Sequence, residues 1–186
     1  MKDADALEQR LVFIKPVIVR QNLVVTLSHI IVLVKTADGV NKKAKHAYYK
    51  SILLLAGSML EALTHLLLKA GMKSGQKLPY GDWECKEPKI IRKLNSNKDI
   101  VWCHRKRCRQ KLTNITTCKN VNKMCKELSL ITPSLFDECE KVREMRNRVH
   151  LMGLSTVVRT YKKEDAEYVL SVVVKVLDVL EKKAKS

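Results

Sequence analysis

From Lys42 to Ala70 the chain reads KKAKHAYYKSILLLAGSMLEALTHLLLKA, without proline and with one glycine, before Gly71 stops it. Ala, Leu, Lys and Met are strong helix formers, and a glycine just past the last periodic residue is a helix stop. A helix this apolar cannot cover its own surface. It needs a partner, and the apolar stretch before it should pack on it as an antiparallel pair.

The preceding stretch from about Pro16 to Lys35, PVIVRQNLVVTLSHIIVLVK, is apolar on most sides and is closed by turn chemistry at Asp38-Gly39. It is expected to be a buried helix, antiparallel to the long one, with burial outweighing the weak helix preference of its Val and Ile residues. A membrane span is not expected, because Lys15 and Arg20 leave an uncharged run only from Gln21 to Val34, short of the roughly 20 apolar residues a span needs. Further on, Lys119 to Leu128 predicts a short helix. Thr132-Pro133 then supplies an N-cap followed by proline at the first helical position, with Asp137 and Glu138 near the positive dipole end, and the helix they start should reach about Met152. After a loop from Gly153 to Tyr161, a last helix from Lys163 to about Lys183 carries the apolar stripe Val169, Val172, Val173, Val176, Leu177 and Leu180. The expected fold class is all-α, an up-and-down bundle of four to five helices. At 186 residues this fits one domain, which buries roughly 70% of the surface of its unfolded chain.

Residues 72 to 117 interrupt the pattern. Gly75, Pro79, Gly81 and Pro88 break helices, and charges gather from Lys89 to Lys111. This segment is expected to be an irregular basic insertion, with short strands at Asp99 to Cys103. The chain holds 36 Lys and Arg against 19 Asp and Glu, a formal net charge of +17, and residues 72 to 132 carry 15 of the former and 5 of the latter. Concentrated positive charge points to a polyanion. Trp102 stands beside Arg105, Lys106 and Arg107, with Lys89, Arg92, Lys93, Arg109 and Lys111 near in sequence. An aromatic ring among cations is how single-stranded RNA is held, by stacking and phosphate contact; the plainer account is a solvated charged loop.

Six cysteines occur in a chain that opens MKDADALEQR, without a basic-then-apolar leader. Reduced thiols and a cytoplasmic location are therefore expected, with no membrane partner. The sequon Asn114-Ile115-Thr116 carries no weight without secretion. Cys85, Cys103, His104, Cys108 and Cys118 fall in the insertion, but none of their spacings is the C-x2-C knuckle of a zinc site, so no metal or other cofactor is expected. Cys118, Cys125 and Cys139 read as packing residues.

The chemistry-bearing pattern lies in PSLFDECEKVREMRNRVHLM. At 100° per residue, with Val142 at zero, Leu135, Cys139, Met145, Val149 and Met152 fall within about 80° and define a core face. Arg146 stands near 40°, His150 near 80°, Arg143 near 100° and Asn147 near 140°, one polar stripe along the edge of that face. Arginine can hold phosphate oxygens bidentately, and histidine titrates near neutrality. Together they suit metal-free cleavage of RNA, with His150 moving a proton and arginine stabilising charge on phosphorus. The competing account pairs Arg143 and Arg146 with Glu140 or Glu144 and leaves His150 as a helix cap. Glu61 and His65, four apart on the long helix, share a face from which a carboxylate can orient a group across the bundle; a satisfied polar edge is the commoner outcome.

RxxRNRVHL, with the upstream SILLLAGSMLEALTHLLL containing Gly57 and Glu61, resembles the HEPN domains (higher eukaryotes and prokaryotes nucleotide-binding), a superfamily of helical bundles. The family signature is an arginine, four to six residues, then a histidine, often with a polar residue directly after the arginine. Arg143 and His150 satisfy the spacing but Glu144 follows Arg143; Arg146 is followed by Asn147 but stands only three residues short of His150. Which arginine takes the family role stays open. The resemblance covers about residues 15 to 71 and 119 to 183 and leaves the basic segment unmatched. It implies a metal-independent endoribonuclease of toxin–antitoxin or phage-defence type, with catalytic residues Arg143, Arg146, Asn147 and His150. It also implies a homodimer with the cleft between protomers, and an antitoxin or other protein partner. Members that have lost catalysis imply the alternative, a helical module that binds RNA, a nucleotide or a protein.

Overall fold

The computed structural model describes residues 2–73, 83–94, 98–107, 117–149 and 161–185. They divide into two compact units, one formed by Met1–Gly71 with Thr117–Ser186 and the other by Met72–Thr116.

The first unit is all-helical. Among the described residues it has six helices: α1 (Lys2–Arg10), α2 (Val17–Gly39), α3 (Lys42–Gly71), α4 (Cys118–Glu127), α5 (Pro133–Asn147) and α6 (Lys163–Lys185). That is one more than the sequence pattern predicts, the addition being α1. The long helix α3 is central, packing against α2, α4, α5 and α6. Ile52, Leu53, Ala56, Leu63, Leu67 and Leu68 on α3 are buried, as are Val169, Val172, Val173 and Val176 of the predicted stripe on α6. Thr132 caps α5 as its sequence announces: its hydroxyl accepts the Leu135 N–H at 3.2 Å, and Pro133 follows at the first helical position. Thr117 caps α4 in the same way through Asn120.

Helix α4 lies alongside α3 and runs in the same direction. Cys118, at its start, feels the charge of Glu61; the Cys125 thiol, two turns on, donates to the Thr64 carbonyl at 3.5 Å. Past its end, the Leu130 side chain lies against Gly71 so closely that any side chain at Gly71 would collide with it. The helix closes at Ser129, whose φ of 54° is left-handed. The Ser129 and Leu130 amides donate to the Lys126 and Cys125 carbonyls at 3.0 and 2.8 Å, the usual way of satisfying the last carbonyls of a helix. Between α5 and α6, Lys175 Nζ donates to both Glu138 oxygens at 2.8 Å, and Lys141 lies over the Tyr168 ring.

The parallel course of α3 and α4 departs from the expected up-and-down order, because residues 72–116 intervene between them; two further expectations need correction. Helix α2 is not buried. Only Leu23, Ile30 and Ala37, one residue every two turns, are buried, whereas Ile18, Val25 and Val32 on another face are 73%, 53% and 60% exposed. Packing on α3 covers a single stripe of a helix that is apolar on most sides. By length and composition alone both Val17–Gly39 and Ala44–Gly71 are apolar enough to cross a membrane; the apolar window of α3 is 56% buried within the bundle and that of α2 11%. The charges at Lys15, which precedes α2, and at Arg20 therefore do not by themselves exclude a span.

The second correction concerns the insertion, which is not irregular throughout. It contains a two-stranded antiparallel sheet of β1 (Trp83–Leu94) and β2 (Lys98–Arg107), well beyond the short strands expected at Asp99 to Cys103. Trp83 pairs with Arg107 and Leu94 with Lys98, and the register shifts between Lys86 and Lys89 and again between Ile90 and Arg92.

Candidate functional site

Two members of the polar stripe, Arg143 and Arg146, meet a shared edge of α3 and α4. At Gly57 the surface of α3 has no side chain, and the stem of Arg146 occupies that space: a Cβ on Gly57 would stand 3.0 Å from Arg146 Cδ and 3.4 Å from its Cβ and Cγ. One turn further along α3, on the same face, Glu61 Oε1 accepts a hydrogen bond from Arg146 Nη1 at 2.6 Å. Glycine thus makes the slot and glutamate holds the guanidinium at its end. The pair is half-buried, with 23% of the arginine side chain and 31% of the glutamate exposed.

A second pair lies beside it. Arg143 reaches Glu140 one turn back, with Nε and Nη2 each 3.0 Å from Oε2. The other oxygen of Glu140 accepts from Asn122 Nδ2 of α4 at 2.8 Å. Asn122 is fully buried. Cys118, one turn before Asn122, completes the group: burial pushes its thiol up to about 12, the carboxylates of Glu61 and Glu140 add to the shift, and Arg143 and Arg146 oppose it. Two carboxylates and two guanidiniums balance, so the cluster adds no net charge to a half-buried place. Two of its atoms, Asn122 Oδ1 and Arg146 Nε, are buried without a hydrogen-bond partner among the described residues, which leaves polar capacity unspent in this corner.

The residues singled out from sequence are distributed as follows. Arg143 and Arg146 come together, Arg143 with Glu140 as the plainer account had it, Arg146 with Glu61 across the bundle and not with Glu140 or Glu144. Asn147 is the last residue of α5 and is exposed. The helix ends there and not near Met152. Arg148 caps it, and Val149, buried, donates its N–H to the Arg146 carbonyl at 3.0 Å. His150 and Met152 lie outside the described residues, as does Cys108 of the cysteine group weighed for zinc. Trp102, Arg105, Lys106 and Arg107 all fall on β2. Leu135, Cys139, Val142, Met145 and Val149 form the buried face of the α5 segment as the helical wheel placed them.

Sequence reasoning missed Asn122 and the role of Cys118. A signal existed for Asn122, since it is flanked by the core positions Val121, Met124 and Cys125 of a short helix, and an asparagine among them has to be satisfied by something.

The chain was compared with family models, with curated proteins and with solved structures. It matches none of them. The geometry of α3, α4 and α5 therefore carries the functional argument by itself.

Proposed function

We propose that the chain is a metal-independent endoribonuclease of HEPN type, acting as a homodimer in a toxin–antitoxin or phage-defence setting. The observation that carries this reading is the clamp at Gly57 and Glu61, which fixes Arg146 at one end of the RNRVH segment. A guanidinium held by one carboxylate keeps further N–H donors for a phosphate, and holding it beforehand removes the ordering cost when the anion arrives. Arg143, held through Glu140 and Asn122, gives a second cation on the same edge. In the reaction His150 moves the proton of the 2′-hydroxyl or of the leaving oxygen. Arginine stabilises the charge that builds on phosphorus.

A second reading is a non-catalytic module that binds RNA, a nucleotide or a protein. One specific observation favours it: both arginines are already engaged by carboxylates of their own chain.

The two readings separate on one substitution. His150→Ala is expected to reduce RNA cleavage by about 10²- to 10⁴-fold, the usual loss when general acid–base action is removed, with an unchanged circular dichroism melt. Cleavage should survive chelator and fail on an RNA methylated at the 2′-hydroxyl of the cut site. Equal cleavage by parent and variant, or none by the parent over a broad RNA panel, would leave the binding module as the function.

A further inference from the structure

We infer that one face of the β1–β2 hairpin is a single-stranded RNA platform, assembled by the two bulges of β1 around Trp102. Lys86, Lys89 and Arg92 are spaced by three residues. In a regular strand that spacing sends successive residues to opposite faces, because the repeat of a strand is two.

The register removes the conflict. Both shifts place the extra residue on β1, between Lys86 and Lys89 and between Ile90 and Arg92. Each shift restores the phase after three residues. Lys86 therefore pairs with His104, Lys89 with Trp102 and Arg92 with Ile100, which are alternate positions on β2, and the same alternation continues through Glu84 with Lys106 and Leu94 with Lys98. Residues paired across an antiparallel ladder share a face. One face thus collects Lys86, Lys89, Arg92, Lys98 and Lys106 with His104 around the Trp102 position, against the single acid Glu84. The other collects Trp83, paired with Arg107, together with Arg105 and Lys93 and the acid Asp99, so each face has one tryptophan and one acid and the first is set apart by its longer row of cations.

The charge set and the ring define the ligand class. Positions two apart on a strand are roughly 6.8 Å apart, so the cations form a row, and an aromatic ring within a row of cations fits unpaired bases on a phosphate backbone. Within the basic cluster the register separates Lys106, on the face of Trp102, from Arg105 and Arg107 on the other face. The inference rests on RNA being the substrate and adds where it is held.

The experiment compares two variants of the whole chain that each remove three positive charges: Lys86→Gln/Lys89→Gln/Arg92→Gln, and Lys93→Gln/Arg105→Gln/Arg107→Gln. Binding of a fluorescent single-stranded RNA oligomer is followed by anisotropy over a salt series. The first variant should lose affinity and flatten the log–log salt slope by about 2, the value for three phosphate contacts on a single strand, while the second changes it little. Trp102→Ala should weaken binding by roughly 5- to 150-fold, the range for one stacked base. Equal losses from both triple variants, a larger loss from the second, or duplex RNA binding as well as the single strand would overturn the platform. Cleavage is scored separately. A parent that cuts RNA in a His150-dependent way while the first variant binds normally sinks the platform alone, and a parent that binds no RNA sinks both readings.

Discussion

Arg146 and Glu61 test what an ion pair at half burial is worth. A fully exposed pair contributes at most about 1 kcal/mol, and breaking a buried one costs about 3–5 kcal/mol. With side chains 23% and 31% exposed, Glu61→Gln is expected to cost about 1–3 kcal/mol in urea unfolding. A double-mutant cycle with Arg146→Met should show that most of this loss disappears once the arginine is gone. Additive losses would mean that the pair does not hold the guanidinium. The thiols make a different forecast. Burial raises Cys118, Cys125 and Cys139 from an ordinary 9.0 to about 12 each. A group whose folded value is raised by burial keeps its proton in the folded state after the unfolded chain has released it. Stability is therefore unaffected below pH 9 and falls between 9 and 12, because there the unfolded state binds fewer protons. The urea midpoint should decline across that window, and replacing Cys125 and Cys139 with alanine should shallow the decline while lowering stability at neutral pH. The pairing of Arg143 with Glu140 was legible in the sequence because both lie one turn apart on a single helix. That of Arg146 with Glu61 joins residues 85 apart, where no local spacing operates; only the shared face of Gly57 and Glu61 hinted at it.

Among the elements, legibility followed how fully each side of a helix is specified. The stripe of α6 and the Thr132-Pro133 start of α5 can be read directly, since each is a local pattern with one physical cause. Helix α2 was misread because its Val and Ile residues lie on most sides, and a pattern without a polar face does not say which side is covered. The hairpin was underestimated because its strands carry charges on both faces and its bulges break the two-residue period by which strands are recognised. The α4–α5 connection offers a test at this scale. Ser129 adopts a left-handed φ of 54°, a conformation that strains any residue with a Cβ. Ser129→Gly should raise stability by about 0.5–1 kcal/mol, the relief being partly offset by the freedom that glycine gives the unfolded chain. An unchanged or lowered melting midpoint would show that the serine side chain contributes more there than its backbone strain costs.

For the whole molecule, the charge is divided unequally. The hairpin strands carry eight Lys and Arg against three Asp and Glu, whereas the α3–α4–α5 cluster is balanced between two carboxylates and two guanidiniums. Sedimentation at micromolar protein should find a dimer if the cleft is completed by a second copy; a monomer throughout the concentration range would favour the binding module. The parallel course of α3 and α4 bears on how the chain can be rebuilt. Because Cys118 lies near Glu61 while Gly71 lies against Leu130, the end of α3 and the start of α4 are separated by the length of α3 from Glu61 to Gly71. Ten residues of helix separate Glu61 from Gly71, about 15 Å at 1.5 Å per residue. Since an extended chain covers at most about 3.6 Å per residue, a replacement shorter than about five residues cannot close the gap. A tight turn in place of residues 72–116 would therefore force α4 to reverse, whereas a flexible tether longer than that limit would leave the helical order intact and expose what the hairpin itself contributes.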